Sequence, residues 1–385
     1  MKRSILCIFI AAAILVCCAP SAGALSAKTP SAPGVSAKAA VLIDAQTGKI
    51  IYGKNEYDRL PMASTTKIMS ALLLLESGDL DTEFRVDNTA ILVEGSSMGL
   101  CPDDIVTKRA LCYGMLLPSG NDAANETAVL LAGSPEKFAD IMNQRAEKLG
   151  LRDTHFVTPS GLHDDDHYST ARDMAVLARE ALKNETFREI CGTSKAKLTF
   201  GNPPYERWLV NTNKLLTLCD GCIGVKTGFT DEAGRCLVSA AERDGVTLIC
   251  VTLNDPNDWN DHVRMYDYGF SVTKGVNAEF DFSELYVSVA GGDRGRVRVL
   301  PDNVPVYTSV KGSVPKATYE VMTEKFIYAP VSKGKKAGVV RWYSDGVLIA
   351  TSDLIAAEEC GAVIKEYKPG FDDKIVEWIK GILQK

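Results

Sequence analysis

The stretch "MASTTKIMSALLLLE" (Met62–Glu76) is a long apolar segment with a single lysine near its start. Its composition predicts a buried helix, and residues three apart share one face of a helix, so the amine of Lys67 can reach the hydroxyl of Ser64. A serine becomes a strong nucleophile only when a base takes its proton. Burial and nearby positive charge lower the pKa of a lysine and so make it a base. The first turn also offers free backbone N–H groups that can stabilise an oxyanion.

A second polar group stands in "LLPSGNDAA" (Leu116–Ala124), between two stretches with helical periodicity. A loop at this point can aim the Ser119 hydroxyl and the Asn121 amide at one place. The hydroxyl can relay a proton to a leaving amine. The amide can position the lysine or a substrate carbonyl.

A third group, Lys226-Thr227-Gly228, stands in "GVKTGFTDEAGRCLV" (Gly224–Val238), at a predicted strand start. The amine and the hydroxyl suit a substrate carboxylate, and glycine permits close approach of the backbone. Taken singly, the three motifs are typical of a helix start, a turn and a strand entry. Their order and spacing together favour one catalytic site.

The motif set SxxK, SxN and KTG resembles that of the penicillin-binding proteins and class A β-lactamases. The stretches "PMASTTKIM", "LLPSGNDAA", "VTPSGLHDDDHYSTARDMAVLAREAL" and "GVKTGFTDEAGRCLVSA" are most similar to the low-molecular-mass D-alanyl-D-alanine carboxypeptidases. The resemblance is strong over residues 39–272. It implies an α/β (α+β) transpeptidase-like domain with an antiparallel sheet and a helical insert, followed by a small all-β domain.

The resemblance also implies roles, which transfer by position. These are Ser64 as the acylated nucleophile, Lys67 as its general base, Ser119 as a proton relay, Asn121 as a positioning amide, Lys226 and Thr227 as carboxylate ligands beside Gly228, and the backbone N–H groups of Ser64 and Phe229 as the oxyanion hole. The implied substrates are peptidoglycan stem peptides, the implied inhibitors are β-lactams, and no cofactor or metal is implied. Some family members add an arginine after the KTG hairpin. In this chain the corresponding region contains only Arg264, which is left outside the predicted site.

The chain has 385 residues, of which 46% are apolar and 24% charged, with a formal net charge of −6. This composition is typical of a globular protein with more than one domain, and the acidic balance argues against a nucleic-acid partner. Residues 1–24 have a basic start, a short apolar core and small residues for cleavage. They predict a secretory signal peptide, and hence an exported protein of the cell envelope. A lipoprotein signal and an uncleaved anchor remain alternatives.

Eight cysteines follow the predicted signal peptide, and export permits disulfides. "CDGC" (Cys219–Cys222) reads as a redox pair or as half of a metal site. Because no second CxxC or nearby histidine completes a zinc site, buried or locally paired thiols are the favoured interpretation. The sequence does not determine the pairing.

The order of the predicted elements divides the chain further. Residues 25–38 form a predicted flexible leader. In the catalytic domain, residues 39–275, a hairpin at 40–55 and strands near 226–253 bracket a helical region, so both ends are expected to join one antiparallel sheet. "SPEKFADIMNQRAEKLG" (Ser134–Gly150) and "DWNDHVRMYDYGFSV" (Asp258–Val272) predict helices.

The sequence pattern changes at 276–368, where runs of alternating apolar and polar residues, broken by Gly, Asp and Pro, predict a β-rich domain. "GGDRG" (Gly291–Gly295) reads as a turn there rather than a nucleotide loop, because no helix follows it. Residues 369–385 predict an amphipathic helix. Such a helix lies in a membrane surface or docks on the β-rich domain, and its position at the chain end after Pro-Gly favours the membrane.

Three rival functions share some of these features. A β-lactamase has the same motifs, but the second domain, the tail and SGN in place of SDN argue against it. A metallopeptidase would use "HDDDH" (His163–His167), which follows Pro-Ser-Gly and reads as a solvated loop. A catalytically inactive wall-binding protein is disfavoured because every motif residue is present.

Overall fold

The computed structural model describes residues 31–363 and 370–383. The predicted signal peptide and the first part of the predicted leader lie outside these residues. The helices are α1 Lys67–Glu76, α2 Lys108–Leu116, α3 Asn121–Ala132, α4 Pro135–Leu149, α5 Ala171–Ala181, α6 Glu185–Gly192, α7 Leu215–Leu218, α8 Asp258–Val272 and α9 Phe371–Leu383.

The strands up to α8 are β1 Ala39–Asp44, β2 Ile50–Lys54, β3 Glu83–Arg85, β4 Ile105–Thr107, β5 Lys195–Gly201, β6 Pro204–Val210, β7 Cys222–Thr230, β8 Gly234–Arg243 and β9 Val246–Leu253. Five of them form one sheet in the order β2-β1-β9-β8-β7. Every neighbouring pair in this sheet is antiparallel. The prediction that the first hairpin joins the later strands in one antiparallel sheet is therefore confirmed.

Alternate residues of β1 face two different cores, since successive side chains of a strand point to opposite faces. Val41 and Ile43 pack in the core shared with α1 to α6. Ala40 and Leu42 pack in a second core against α8. The central strands are buried on both faces for this reason, which explains the unbroken apolar run at the start of β1.

Helix α4 shows how local sequence sets its limits. The Ser134 side chain accepts a hydrogen bond from the Lys137 N–H, Pro135 occupies the first turn, and Gly150 ends the helix in the left-handed conformation. These signals confirm the predicted helix. The surrounding region is less helical than its periodicity predicts, because it also contains the short β3–β4 pair and long loops at 86–104 and 151–170.

The end of the predicted flexible leader is fixed rather than free. The Ser36 hydroxyl donates to Asp261 of α8 at 2.7 Å. Lys54 of β2 donates to the Val35 and Ala37 carbonyls at 2.9 and 2.7 Å. Residues 35–37 are thus tied to the catalytic domain by long-range contacts that composition does not reveal.

The C-terminal part is all β up to residue 363. Its strands are β10 Thr273–Asn277, β11 Tyr286–Ala290, β12 Arg296–Pro301, β13 Val306–Val310, β14 Ala317–Thr323, β15 Ile327–Tyr328, β16 Lys336–Ser344 and β17 Val347–Ala356. Six of them form a sheet in the order β14-β16-β17-β12-β11-β15, and β10 pairs with β13. Trp342 and neighbouring valines fill its core. Residues 291–295 connect β11 to β12, which confirms a turn there.

Helix α9 is exposed over almost its whole described surface. The side chain of Trp378 is 68% exposed and that of Leu383 is 80% exposed, so these two apolar side chains are not packed on the β-rich domain. No helix within residues 31–363 and 370–383 has the length and apolar character needed to cross a membrane.

Candidate active site

Ser64 lies in a 3₁₀ turn, Ala63–Thr66, that continues directly into α1. The sequence predicted the first turn of an α-helix. A 3₁₀ turn has three residues per turn, so the side chains three apart eclipse one another. Lys67 Nζ accordingly lies 2.9 Å from Ser64 Oγ. The tighter turn brings the amine and the hydroxyl into direct contact.

The amine of Lys67 has three partners and is fully buried. Besides Ser64 Oγ, it donates to Asn121 Oδ1 and to the Ser160 carbonyl, each at 2.7 Å. Burial lowers the pKa of Lys67 well below its usual value, the positive charge of Lys226 lowers it further, and Asp122 acts in the opposite direction. A neutral amine has two N–H groups for the two carbonyl oxygens. Its lone pair is then left to accept the Ser64 proton.

Asn121 is the first residue of α3 and is held from both ends of its amide. Its Oδ1 accepts from Lys67, and its Nδ2 donates to the Glu94 carbonyl at 2.7 Å. Ser119, two residues earlier, has a left-handed φ of 67°. This turn leaves the Ser119 side chain lining the cleft beside Ser64. The SGN segment therefore supplies one buried amide and one hydroxyl that faces the cleft.

The KTG segment lies in the middle of β7, not at its start as predicted, because the strand begins at Cys222. Burial lowers the pKa of Lys226 to about 7, and its Nζ donates to the Thr227 carbonyl at 2.8 Å. A Cβ on Gly228 would lie only 3.1 Å from the Ser64 backbone nitrogen. Glycine thus lets the strand run close against the turn 63–66, where a larger residue would have to push the backbone away.

A cleft of about 330 Å³ runs between these elements. Five of the residues predicted from the sequence line it, namely Ser64, Ser119, Thr227, Gly228 and Phe229. The other three, Lys67, Asn121 and Lys226, are buried behind them. All eight therefore belong to one site.

Three charged cleft residues, Lys214, Arg235 and Asp258, were not predicted. Arg235 Nη2 lies 2.8 Å from both carboxylate oxygens of Asp258, and the guanidinium lies 5.2 Å from the centre of the Trp259 ring. Arg235 is the β8 partner of Phe229 across the hairpin. This pairing is the signal that could have placed Arg235 in the cleft. Arg264 pairs with Asp261 and does not line the cleft.

Comparison with known proteins adds to this geometry. Residues 26–257 match the sequence profile of the D-alanyl-D-alanine carboxypeptidases, peptidase family S11. The chain belongs to this family. Residues 277–362 match the C-terminal domain of penicillin-binding protein 5. The chain is therefore a serine-type hydrolase with the penicillin-binding fold and the all-β second domain that the sequence predicted.

Relatives of this chain align over nearly its whole length. It is 34% identical to the D-alanyl-D-alanine carboxypeptidase DacF of Bacillus subtilis, over 93% of this chain and 95% of that protein. It is 32% identical to the D-alanyl-D-alanine carboxypeptidase DacC of Escherichia coli, over 90% of this chain and 89% of that protein. Among solved structures, the Streptomyces K15 DD-transpeptidase aligns with a TM-score of 0.60 at 34% identity, covering 63% of this chain and 100% of that one. The structure of DacD of Francisella tularensis aligns with a TM-score of 0.61 at 26% identity, covering 87% of this chain and 96% of that one.

The polar loop 163–167 is solvated at its start but buried at its end. His163 lies 3.4 Å from Asp165 near the surface, but His167 is buried against Thr66 of the turn 63–66. Nowhere in the described chain do three or more His, Cys, Asp or Glu side chains gather as a metal site would require.

The eight cysteines of the described chain are free thiols, and all but Cys101 and Cys222 are buried. Burial raises the pKa of the Cys222 thiol to about 11. The "CDGC" segment thus contains two unpaired thiols, one of them, Cys219, in the second core beside α8.

Proposed function

We propose that this protein removes the terminal D-alanine from peptidoglycan stem peptides through an acyl-enzyme on Ser64. The observation that carries the proposal is the contact set of Lys67 Nζ, with Ser64 Oγ at 2.9 Å and two carbonyl oxygens at 2.7 Å. The name D-alanyl-D-alanine carboxypeptidase, which the relatives in B. subtilis and E. coli carry, supports the substrate.

Acylation begins when Ser64 Oγ attacks the carbonyl carbon of the penultimate D-alanine and passes its proton to neutral Lys67. The carbonyl oxygen becomes an oxyanion, which the backbone N–H groups of Ser64 and Phe229 stabilise. Lys67 then returns the proton, through the Ser119 hydroxyl, to the nitrogen of the last D-alanine. The C–N bond breaks, and the free amino acid leaves.

Deacylation reverses the proton path. A water molecule attacks the ester carbonyl, Lys67 takes its proton, and the proton passes to Ser64 Oγ as the ester bond breaks. The products are the shortened peptide and free Ser64. A β-lactam carbonyl would acylate Ser64 in the same way, but its ring nitrogen remains tethered to the acyl group and blocks the water's approach.

The proposed ligands of the substrate carboxylate are Lys226, Thr227 and Arg235. An arriving carboxylate would raise the lowered pKa of Lys226 and keep this amine charged. The two contacts of Arg235 with Asp258 hold the guanidinium at the cleft before substrate binds. Its other nitrogens remain for the substrate.

The Arg235→Ala variant is expected to lower kcat/KM for a stem pentapeptide about 10- to 100-fold, mainly through KM, because one charge-assisted hydrogen bond contributes about 1.5–3 kcal/mol. Steady-state D-alanine release measures this effect. Arg264→Ala is the matched control, since Arg264 also pairs with an aspartate of α8 but lies outside the cleft. Equal kinetics in both variants would remove Arg235 from the proposed site.

In the Lys226→Met variant, the acid limb of the pH profile of the β-lactam acylation rate is expected to move to higher pH. Lys226 lowers the pKa of Lys67 by charge repulsion. Without that charge the pKa of Lys67 rises, and less of the amine is neutral at a given pH. The midpoint is measured from acylation rates across pH, with Lys214→Met as a control for loss of a lysine that lines the cleft. A midpoint that stays in place or falls would contradict the coupling.

The proposed place of action is the outer face of the cytoplasmic membrane. The basic start, apolar core and small residues of 1–24 support export by a signal peptide. Helix α9 supports surface attachment, because Ile375, Trp378, Ile379 and Ile382 leave between 38% and 68% of their side chains exposed. Such a helix can lie in the lipid headgroup region without crossing the bilayer.

The double variant Trp378→Glu with Ile382→Glu is expected to release the protein from anionic lipid vesicles, because it places charge on the apolar face of α9. Vesicle co-sedimentation measures the effect. Glu377→Gln, on the polar face, is the control and is expected to bind at least as well as the unchanged protein. Undiminished binding by the double variant would contradict attachment through α9.

The function itself is tested by D-alanine release from a stem pentapeptide and by labelling with fluorescent penicillin. The proposal predicts release of one D-alanine, stable label and no sensitivity to chelators. Fast penicillin turnover would favour a β-lactamase. Labelling without D-alanine release from any stem peptide would favour a wall-binding role, and cleavage of cross-linked peptides would add endopeptidase activity.

A further inference from the structure

Two chain segments position Ser64 and its base, namely the turn 63–66, which carries Ser64, and the loop 157–162, which binds Lys67. Lys67 donates to the Ser160 carbonyl of this loop at 2.7 Å, and Ser70 of α1 donates to the Pro159 carbonyl at 2.6 Å. Gly161 packs so tightly on the turn that a Cβ there would lie 2.0 Å from the Ala63 carbonyl oxygen. The position of Ser64 relative to its base therefore depends on how the loop and the turn are held together.

His167 joins the two segments, although it comes from neither. Its Nδ1 lies 2.9 Å from the Val157 N–H and 3.2 Å from the Thr158 N–H, at the start of the loop. Its Nε2 lies 2.7 Å from Thr66 Oγ1. The hydroxyl of Thr66 in turn donates to the Ala63 carbonyl at 2.8 Å.

These contacts determine which atom carries each proton in the series of hydrogen bonds from His167 through Thr66 to Ala63. Since two N–H groups point at Nδ1, that nitrogen is the acceptor, and Nε2 carries the proton that it donates to Thr66 Oγ1. The Thr66 hydroxyl is then free to donate to Ala63. The imidazole in this arrangement is neutral and has no unused donor or acceptor.

The surroundings keep the ring neutral. His167 is only 3% exposed, and burial lowers its pKa to about 4. The charged and titratable groups that act on it are Asp164, which favours protonation, and His155 and His163, which oppose it. The Phe156 ring packs against it in an edge-to-face arrangement, with the ring centres 5.9 Å apart.

The conformation of Ala63 shows what these hydrogen bonds stabilise, namely a strained backbone next to Ser64. Its φ of 47° lies in the left-handed region, which a residue with a Cβ adopts at a cost of about 1–3 kcal/mol. Ala63 comes directly before Ser64, so its backbone sets the direction of the nucleophile. The bond from Thr66 to its carbonyl oxygen holds that backbone in place.

We propose that His167 is a positioning residue for acylation, which through Thr66 fastens the loop that binds Lys67 to the turn that carries Ser64. His167 does not line the cleft and does not act on the substrate itself. The inference rests on the proposed acylation of Ser64, and it adds a residue outside the three motifs to that machinery.

The test measures the acylation rate constant and the dissociation constant of a β-lactam separately, by stopped flow. His167→Asn retains an acceptor for the loop but cannot reach Thr66, and Thr66→Val removes the hydroxyl while preserving shape. Each is expected to slow acylation about 10-fold or more with unchanged β-lactam binding, because a small displacement of reacting groups lowers the rate strongly. Thr66→Ser is expected to acylate at nearly the original rate.

The double variant decides whether the two residues act together. If His167 acts through Thr66, the double variant is no slower than the slower single variant. His155→Asn is the matched control, because His155 belongs to the same loop region and its ring nitrogen Nδ1 bonds to the Asp166 carbonyl. It is expected to acylate normally. A similar melting temperature across the set would separate positioning from loss of folding.

Unchanged acylation in both single variants, or effects that multiply in the double variant, would overturn the inference. If His167→Asn does not fold, the Thr66→Val and Thr66→Ser pair decides alone. Failure of the underlying function looks different, since Ser64→Ala would then still take up label. If only the positioning role is wrong, Ser64→Ala stays unlabelled while the His167 and Thr66 variants acylate at the rate of the unchanged protein.

Discussion

The Ser64→Ala variant is expected to lose D-alanine release almost completely, with kcat reduced by roughly 10⁶-fold, as for other serine peptidases that lose the nucleophile. The reason is that the remaining groups of the cleft have no atom to form the acyl bond. Lys67 would keep its contacts with Asn121 and Ser160, so the fold and the cleft should persist. Release of D-alanine from a stem pentapeptide, followed by an enzyme-coupled assay, measures the loss.

Ser77→Ala provides the matched control for this substitution. Ser77 caps the other end of α1 and bonds to the Leu74 carbonyl, away from the cleft. It is expected to retain nearly full activity. Substantial D-alanine release by purified Ser64→Ala would mean that another group forms the bond.

The Lys67→Arg variant is expected to slow acylation by about 10²–10⁴-fold, the usual contribution of a general base. Arginine stays protonated at every relevant pH and cannot take the serine proton. The unchanged protein should acylate faster as pH rises through the lowered pKa of Lys67, because only the neutral amine acts as a base. Stopped-flow acylation by a β-lactam across pH measures both effects.

Lys108→Arg is the control for this second prediction, since Lys108 also donates to a backbone carbonyl but lies on α2 outside the cleft. Acylation by Lys67→Arg within a few-fold of the unchanged protein would show that the serine proton goes elsewhere. So would an acid limb in the unchanged protein at the pKa of a free lysine.

Elements whose limits are set by neighbouring residues could be predicted from the sequence. Helix α4 has its serine cap, its proline and its terminal glycine within the helix stretch itself. Helix α8 was predicted with the bounds Asp258–Val272 that the structure has. The hairpin strands likewise follow from alternation and a short turn.

The three motifs of the proposed site could be picked out because each combines a short spacing with a residue type that the proposed chemistry needs. The spacing of Ser64 and Lys67 correctly indicated contact, even though a 3₁₀ turn rather than an α-helix produces it. Their meeting with the SGN and KTG segments, far away in sequence, was inferred from the order and spacing of the motifs and from family resemblance, not from geometry.

Features that depend on contacts between distant segments could not be predicted. The β7–β8 hairpin could have placed Arg235 opposite Phe229, but its orientation by Asp258 of α8 depends on a contact that the sequence does not reveal. His167 lies in an acidic loop that reads as solvated, yet the loop 157–162 and Thr66 bury it. Ser36, in the predicted leader, finds its partner Asp261 more than two hundred residues away.

The most direct test of the central claim is to locate the penicillin adduct by mass spectrometry. Cleavage after Arg59 and Lys67 gives the peptide 60–67, which contains Ser64. The account predicts one penicilloyl group per chain, confined to this peptide and absent from Ser64→Ala. An adduct on any other peptide, or no adduct in a protein that still releases D-alanine, would contradict it.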